Sequence, residues 1–329
     1  MSHRTTSASV AQLGAAAVVA GAAAMWLHRD RSGKARHARQ QIAPSHAGDS
    51  SSRRAREHAV VTAARRLNRA SGTIATSALL DSAVEHYRGS FHNKAMVTPL
   101  VVSAATLAVS VHGTADKRGA VHGVRDAVYA GAALTGLVGT GFHLYNVGKR
   151  TGGFCWQNLF YGSPLGAPAS IGLAGLLGYY SERLRDSEKH QPRVFGWRAG
   201  RALAALSAVG LVATSAEAGL LHLRGAYHDP FMWVPVTVPP VAAGLLLETA
   251  TSHPEKPRRF TRWWLGLTAL VGALGSAFHV WGVHRNMGGW RNWRQNLLNG
   301  PPIPAPPSFT GLALAGLAAL RLLWDHPDA

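Results

Sequence analysis

The sequence predicts an all-α, polytopic membrane protein, built as a tandem, parallel duplication of a four-transmembrane-helix bundle with one N-terminal anchor helix before it. The 329 residues are only 15% charged, whereas soluble globular domains contain roughly 25% charged residues. The apolar residues form stretches of about 20 residues, the length that a bilayer requires. A long series of residue pairs also repeats in one register, which is the signature of an internal duplication.

Nine apolar stretches are predicted as membrane spans. The first, 9–27, is rich in Ala, Gly and Val and precedes a basic run, so residues 1–28 are interpreted as a retained anchor helix rather than a cleaved signal peptide. Residues 29–70 are interpreted as a basic cytoplasmic linker, in which the part around Val60 to Arg69 can form an interfacial amphipathic helix. The other spans are predicted near 72–88, 95–112, 127–147, 164–180, 202–222, 231–249, 263–283 and 304–324.

An internal repeat divides the spans into two units. Residues 86–93 (HYRGSFHN) match residues 222–229 (HLRGAYHD), an offset of 136 residues (222 minus 86). The two units, 71–185 and 201–329 with a cytoplasmic linker at 186–200, each contain four spans. Because four is even, both copies cross the membrane in the same sense, as a parallel pair. Further matched pairs are Asp81 and Glu217, His143 and His279, Gly152 and Gly288 and, after a two-residue insertion, Gln157 and Gln295, Asn158 and Asn296.

The distribution of Lys and Arg predicts the orientation of the spans. Basic residues are concentrated in the segments 117–125, 183–201 and 256–262 and in the linker before the second span. Short cytoplasmic loops carry such an excess by the positive-inside rule. The net charge of +18 is therefore explained by topology. The lipid bilayer is the expected partner, and no nucleic acid partner is expected. We expect a multi-pass protein of the inner (plasma) membrane whose histidine-rich site faces the extracytoplasmic side.

Paired histidines near the outer helix ends form the candidate cofactor site. Side chains at matched height on the first and third helices of an up-down bundle can face each other across its core, where bundles bind cofactors and metals. Two imidazoles can be the axial ligands of one haem b, and neutral imidazole also binds Zn, Fe and Cu. The candidate ligands are His86 and His143 in the first unit, His222 and His279 in the second, and the loop residues His92 and His228 as additional metal ligands.

Ionisable and amide groups surround these histidines. The carboxylates of Asp81 and Glu217 lie five residues before the first histidine of each unit, at a depth where ionisable groups are costly and usually functional. Arg88 and Arg224 can bind a haem propionate, a quinone head group or an anionic substrate. The loop after each third helix is expected to fold over the outer mouth of its own bundle as a lid. The lids contribute the candidate hydrogen-bonding residues Gln157, Asn158, Gln295 and Asn296.

The arrangement resembles, in architecture, membrane subunits of respiratory oxidoreductases that are built from two four-helix bundles, including haem-bearing cytochrome b types and haem-free quinone-binding types. The resemblance implies a redox subunit that binds haem b, quinone or both near the extracytoplasmic face and passes electrons from a partner dehydrogenase. Two alternatives stay open: a membrane-embedded metalloenzyme that uses Zn, Fe or Cu on a lipid or hydrophobic substrate, and a transporter.

The same residues also have structural interpretations. A histidine at a helix end can bond a backbone carbonyl, and interfacial Arg can bind lipid phosphate. His112 and His122 have no histidine at the repeat offset and are interpreted as solvated residues of the cytoplasmic side. The single cysteine, Cys155, excludes an intramolecular disulfide and a Cys-rich metal site.

Overall fold

The computed structural model describes residues 47–187, 192–252 and 258–325. Within these ranges the chain is helical apart from turns and one antiparallel hairpin of two short strands, β1 (Arg193–Val194) and β2 (Trp197–Arg198), which confirms the predicted all-α class. The predicted anchor helix and residues 29–46 of the predicted linker lie outside the described residues.

Ten α-helices, eight of them long, occupy the described ranges. Six of the described helices are long and apolar enough to cross a membrane, a number compatible with the predicted multi-pass membrane protein. The two long helices that fall outside this group are α1 and α5. In chain order the helices are α1 (Ala47–Arg88), α2 (Thr98–Ala115), α3 (Gly123–Gly148), α4 (Trp156–Phe160), α5 (Gly166–Asp186), α6 (Ala199–Arg224), α7 (Val234–Thr251), α8 (Arg259–Arg285), α9 (Trp293–Asn299) and α10 (Pro307–Asp325).

Helix α1 differs from the prediction, because it runs without a break through residue 70, where a linker was expected to end. Val60, Ala64 and Leu67 are fully buried in the main apolar core of the protein. Their spacing of i, i+4 and i+7 places them on one face of a helix. Several arginines alternate with these residues and lower the mean hydropathy of the segment, so the sequence gives it the composition of a linker.

The main apolar core lies where α1, α5, α6 and α10 meet. Helices α2 and α3 pack beside the first two of these helices, and α7 and α8 pack beside the last two. Glycine permits a close approach of two helices: a Cβ atom on Gly136 of α3 would overlap the backbone of Gly172 in α5. Small residues at helix crossings are typical of membrane helix packing. The core therefore joins both predicted units into one body.

Element boundaries recur at the offset of 136 residues. Helices α1 and α6 end at Arg88 and Arg224, and α2 and α7 begin at Thr98 and Val234. A turn with two non-glycine residues of positive φ follows each of the first helices, and L-residues adopt such angles infrequently. The φ angles are 56° at Ser90, 44° at Phe91, 54° at Ala226 and 48° at Tyr227.

Candidate functional site

The four predicted histidine ligands lie at the same end of the molecule, which we call the histidine end. Each ring makes a hydrogen bond through Nδ1 to a backbone carbonyl that follows a turn. A carbonyl oxygen only accepts, so Nδ1 carries the hydrogen in every ring. In the neutral ring the free lone pair then lies on Nε2. The distances from Nδ1 to the carbonyl oxygen are 2.6 Å for His86 and Met96, 2.7 Å for His222 and Met232, 2.5 Å for His143 and Pro164, and 2.7 Å for His279 and Pro302.

Within each unit the two histidines are near enough for their charges to interact. His143 interacts in this way with His86, and His279 with His222. The first and third helices of a unit therefore bring their histidines into one region. All four rings are partly buried, so they are neither sealed in the core nor fully solvated.

The carboxylates Asp81 and Glu217 lie close to each other, although they come from different units. Glu217 packs on the first residue of α5, where a Cβ atom added to Gly166 would come within 2.8 Å of its Cγ. The Oε1 atom of Glu217 is buried and has no hydrogen-bond partner among the described residues. Glu217 also interacts electrostatically with His143. The two acids thus form a shared group between the units, beside one histidine pair.

The other two predicted metal ligands belong to the turns. Nδ1 of His92 lies 2.9 Å from Gly89 O, and Nδ1 of His228 lies 2.9 Å from Gly225 O. Both interactions close the turn that follows the first helix of a unit. In the described ranges no group of three or more His, Cys, Asp or Glu side chains is arranged as a set of metal ligands.

The asparagines of the predicted lids stabilise their own loops. Asn158 Nδ2 donates to Thr151 O at 3.0 Å and to Gly153 O at 2.8 Å. In the second unit Asn296 Nδ2 donates to Met287 O at 3.2 Å and to Gly289 O at 3.0 Å. These amide groups therefore shape the loops, a role that the sequence analysis did not assign to them.

Each lid contacts the first helix of the other unit, whereas the sequence predicted a lid over its own bundle. In α9, Arg294 donates a hydrogen bond to the hydroxyl of Tyr87, near the end of α1. In α4, the ring of Phe160 lies 5.7 Å from the guanidinium of Arg224, at the end of α6. Each lid also packs on the third helix of its own unit. The histidine end is therefore covered by elements from both units.

A cavity of about 500 Å³ opens between α9 and the end of α1. Two predicted site residues, Arg88 and Gln295, line it. The guanidinium of Arg88 also pairs with the carboxylate of Glu85 at 2.7 Å, and both side chains are partly exposed. The other lining residues are Asn292, Arg294, Leu298 and Asn299.

A buried charged cluster at the opposite end of the first unit, which we call the charged end, was missed by the sequence analysis. Arg125 of α3 and Glu182 of α5 have fully buried side chains and are joined by two hydrogen bonds, of 2.8 Å (Nε to Oε1) and 3.2 Å (Nη2 to Oε2). Asp116 Oδ2 lies 2.8 Å from Arg125 Nη1, and Arg185 Nε lies 3.7 Å from Glu182 Oε1. The only sequence signal was that Glu182 and Arg185 follow an apolar span without a Gly or Pro that would end the helix.

His122, interpreted as a solvated residue, also has a structural role. His122 is half-buried, its ring accepts a hydrogen bond from the first turn of α3, and its backbone N–H donates to Glu182 Oε2 at 2.8 Å. Burial, together with the charge of Arg125, lowers the pKa of the His122 imidazole. In the same loop, hydrogen bonds from Arg118 hold the pKa of the Asp116 carboxyl far below its usual range. His112, in contrast, is exposed, as predicted.

No protein-family model, curated protein or solved structure matches the chain.

Proposed function

We propose that the protein is an integral membrane redox subunit that binds haem b, quinone or both at the histidine end and passes electrons from a partner extracytoplasmic dehydrogenase. The hydrogen bonds of the four Nδ1 atoms carry this proposal. Histidines that bind a metal generally donate their other ring N–H to a carbonyl or carboxylate, which fixes the tautomer and makes the ligand nitrogen more basic. The four rings have this orientation, and each keeps Nε2 for an iron atom.

The donor set fits haem b better than it fits an isolated metal ion. Haem iron would need only two ligands from the protein, and in each unit one pair of histidines would hold it, His86 with His143 and His222 with His279. A protein-bound Zn, Fe or Cu ion without a porphyrin needs three or more side chains, and no such group is found in the described ranges. When bound, haem would supply one-electron redox chemistry.

Asp81 and Glu217 are proposed as the proton-exchanging groups of the site. Reduction of a quinone to a quinol consumes protons as well as electrons, so a quinone site requires groups that can transfer protons. The unpartnered Oε1 of Glu217 is a free acceptor beside His143. Arg88 and Arg224, at the ends of α1 and α6, are proposed to bind the propionates or the quinone head group.

We also propose that the two units arose by tandem duplication and that the histidine end faces the extracytoplasmic side of the inner membrane. The recurrence of helix ends, positive-φ turns and histidine hydrogen bonds at one offset supports the duplication. The basic segments at the opposite end support the orientation through the positive-inside rule.

An optical spectrum of the protein purified in detergent tests the redox proposal. We expect a b-type haem band after reduction. His143→Ala and His279→Ala should each remove about half of the haem if the units bind it independently, and His92→Ala is the matched control because that ring only closes a turn. Complete loss from either variant would indicate one shared site. Full retention of haem in both would end the haem proposal.

Solvent extraction of the same preparations tests the quinone form of the proposal. A colourless protein that releases quinone, and that loses this quinone in Glu217→Gln, would support a haem-free quinone site. Haem and quinone both absent from a folded, monodisperse preparation would refute the redox function and favour a metalloenzyme or a transporter.

A further inference from the structure

The cavity between α9 and the end of α1 has a cationic lining. Two of its six lining residues are arginines, three carry side-chain amides, one is apolar, and none is acidic. They are Arg88, Arg294, Asn292, Gln295, Asn299 and Leu298. A cavity whose charged side chains are all cationic, with neutral amides beside them, favours an anionic ligand.

Each arginine is held by one neighbouring side chain. Arg294 donates a hydrogen bond to the hydroxyl of Tyr87, and its guanidinium carbon lies 5.8 Å from the centre of that ring. Arg88 Nη1 donates to Glu85 Oε1 at 2.7 Å. A guanidinium group has five N–H donors in a fixed fork, so further donors remain on both side chains. This fork matches the geometry of phosphate oxygens.

The ion pair of Arg88 with Glu85 does not prevent Arg88 from binding an anion. The two side chains are 44% and 33% exposed, and ion pairs in contact with solvent contribute little because water and salt screen them. Glu85 is also not one of the lining residues. The charge that faces the cavity is therefore positive.

The matching surface of the other lid is aromatic. After the two-residue insertion, the lids correspond at an offset of 138 residues (136 plus 2). The ring of Phe160 in the first lid lies 5.7 Å from the guanidinium of Arg224, the counterpart of Arg88. The corresponding pairs are Trp156 and Arg294, Phe160 and Leu298, and Tyr161 and Asn299.

These exchanges give Arg88 a different environment from that of Arg224. A ring covers the guanidinium of Arg224, whereas the smaller Leu298 stands at the matching position beside Arg88 and borders a cavity of about 500 Å³. Arg294 adds a second positive charge to the same space. The packing of a lid does not require this arrangement, because the first lid has aromatic residues there. Space together with a second cation is what an anion site requires.

The position of the cavity favours a lipid as the source of the anion. Helix α9 connects α8 and α10, two of the helices that are long and apolar enough to cross a membrane, so it lies at the membrane surface beyond their ends. Trp293 in its first turn is 57% exposed, and Trp is enriched at the membrane–water interface. The cavity volume is in the range of small-molecule sites, which suits a whole head group.

We propose that this cavity binds the phosphate of an anionic phospholipid. Arg88 and Arg294 donate to the phosphate oxygens, the lining amides bind head-group hydroxyls, and Leu298 contacts the start of the acyl chains. An anionic head group is favoured over a zwitterionic one, because the amine of the latter would meet two guanidinium groups. The site requires neither haem nor quinone, so it does not rest on the proposed redox function.

Native mass spectrometry of the purified full-length protein tests the site. The protein in detergent is titrated with phosphatidylglycerol, and the dissociation constant of the first bound lipid is measured. Arg294→Gln should weaken this binding at least about tenfold, since charged hydrogen bonds are lost. Arg291→Gln is the matched control, because it removes the same charge from an exposed residue of the same loop that does not line the cavity. Its affinity should equal that of the unchanged protein.

Leu298→Phe tests the space without changing a charge. It places in the second lid the residue that the first lid has at this position, and a ring on Arg88, like that of Phe160 on Arg224, would fill the cavity. We expect a loss of affinity similar to that of Arg294→Gln. The melting temperature in lipid-free detergent should stay close to that of the unchanged protein, which separates a lost site from misfolding.

Equal affinity of the unchanged protein, Arg294→Gln and Leu298→Phe would overturn the site. Phosphatidylcholine bound as tightly as phosphatidylglycerol would overturn its preference for an anionic lipid. Glycerol 3-phosphate, added alone to lipid-free protein, distinguishes the source of the phosphate: tighter binding than that of phosphatidylglycerol, lost in the same two variants, would overturn the lipid as the ligand. Haem and quinone contents of these preparations report separately on the proposed function, because neither substituted residue is a proposed ligand.

Discussion

Replacing Glu182 with Gln is expected to destabilise the protein strongly, although the two side chains have almost the same shape. Glu182 is fully buried and accepts hydrogen bonds from Arg125 at 2.8 Å and 3.2 Å. Arg185 lies 3.7 Å away. The neutral amide would leave these two buried guanidinium groups with one carboxylate, that of Asp116, which lies 2.8 Å from Arg125.

The size of the effect follows from what remains after the substitution. Removing one partner of a buried ion pair costs about 3–5 kcal/mol, because the other charge stays buried. Arg125 keeps Asp116, and Arg185 keeps backbone carbonyl acceptors including Gly113 O. We therefore expect the lower value, about 3 kcal/mol, which is more than a hundredfold change in the unfolding equilibrium.

Glu248→Gln in the second unit is the matched control. Glu248 pairs with Arg258 at 2.7 Å, yet the Glu248 side chain is 59% exposed, and exposed pairs contribute about 0–1 kcal/mol. Unfolding of both variants in detergent by titration with sodium dodecyl sulfate, followed by tryptophan fluorescence, gives the comparison. If the two substitutions shift the midpoint equally, burial is not the reason that the Arg125–Glu182 pair is stabilising.

Two further variants, one of them with a matched control, test the packing of α3 and the charged loop. Gly136→Ala should cost about 1–3 kcal/mol through overpacking, because its Cβ would overlap the backbone of Gly172; Gly244→Ala, where a Cβ meets nothing within 4 Å, should be neutral or stabilising in the same thermal melt. The lowered pKa of Asp116 stabilises the fold fully above the unfolded pKa of about 3.9, and this stabilisation declines progressively as the pH falls from that value toward the much lower folded pKa. Asp116→Asn should therefore lower the melting temperature at neutral pH and lose less between pH 5 and pH 3 than the unchanged protein, and identical pH profiles would contradict the role of Arg118.

The positions of most helices were predictable, because span length and helix-end residues are local properties of the sequence. The predicted spans 95–112 and 231–249 lie close to α2 and α7. Each of these helices has a proline in its first turn, where the missing N–H costs nothing. Helix α1 was predicted only in part, since the burial of Val60 and Leu67 depends on partners in α5 and α10 that are distant in sequence.

The contents of the candidate site were less predictable than its location. The repeat offset placed four histidines at one end, but the acceptors of their Nδ1 hydrogen bonds are backbone carbonyls, which no side-chain pattern specifies. The contact of each lid with the other unit could not be predicted either, because the hydrogen bond of Arg294 with Tyr87 depends on the packing between the units. The positive-inside rule counts Arg125 and Arg185 in the same way whether they are solvated or buried. The charged end was missed for that reason.

The order in which the helices are synthesised determines when the contacts of the histidine end can form. Helix α4 leaves the ribosome before α6, and α9 is made long after the end of α1 on which it rests. In each half of the chain, the short helix makes part of its contacts with the other half. The histidine end can therefore be completed only after the second half has been made, and a chain interrupted between α5 and α6 would leave Phe160 without Arg224.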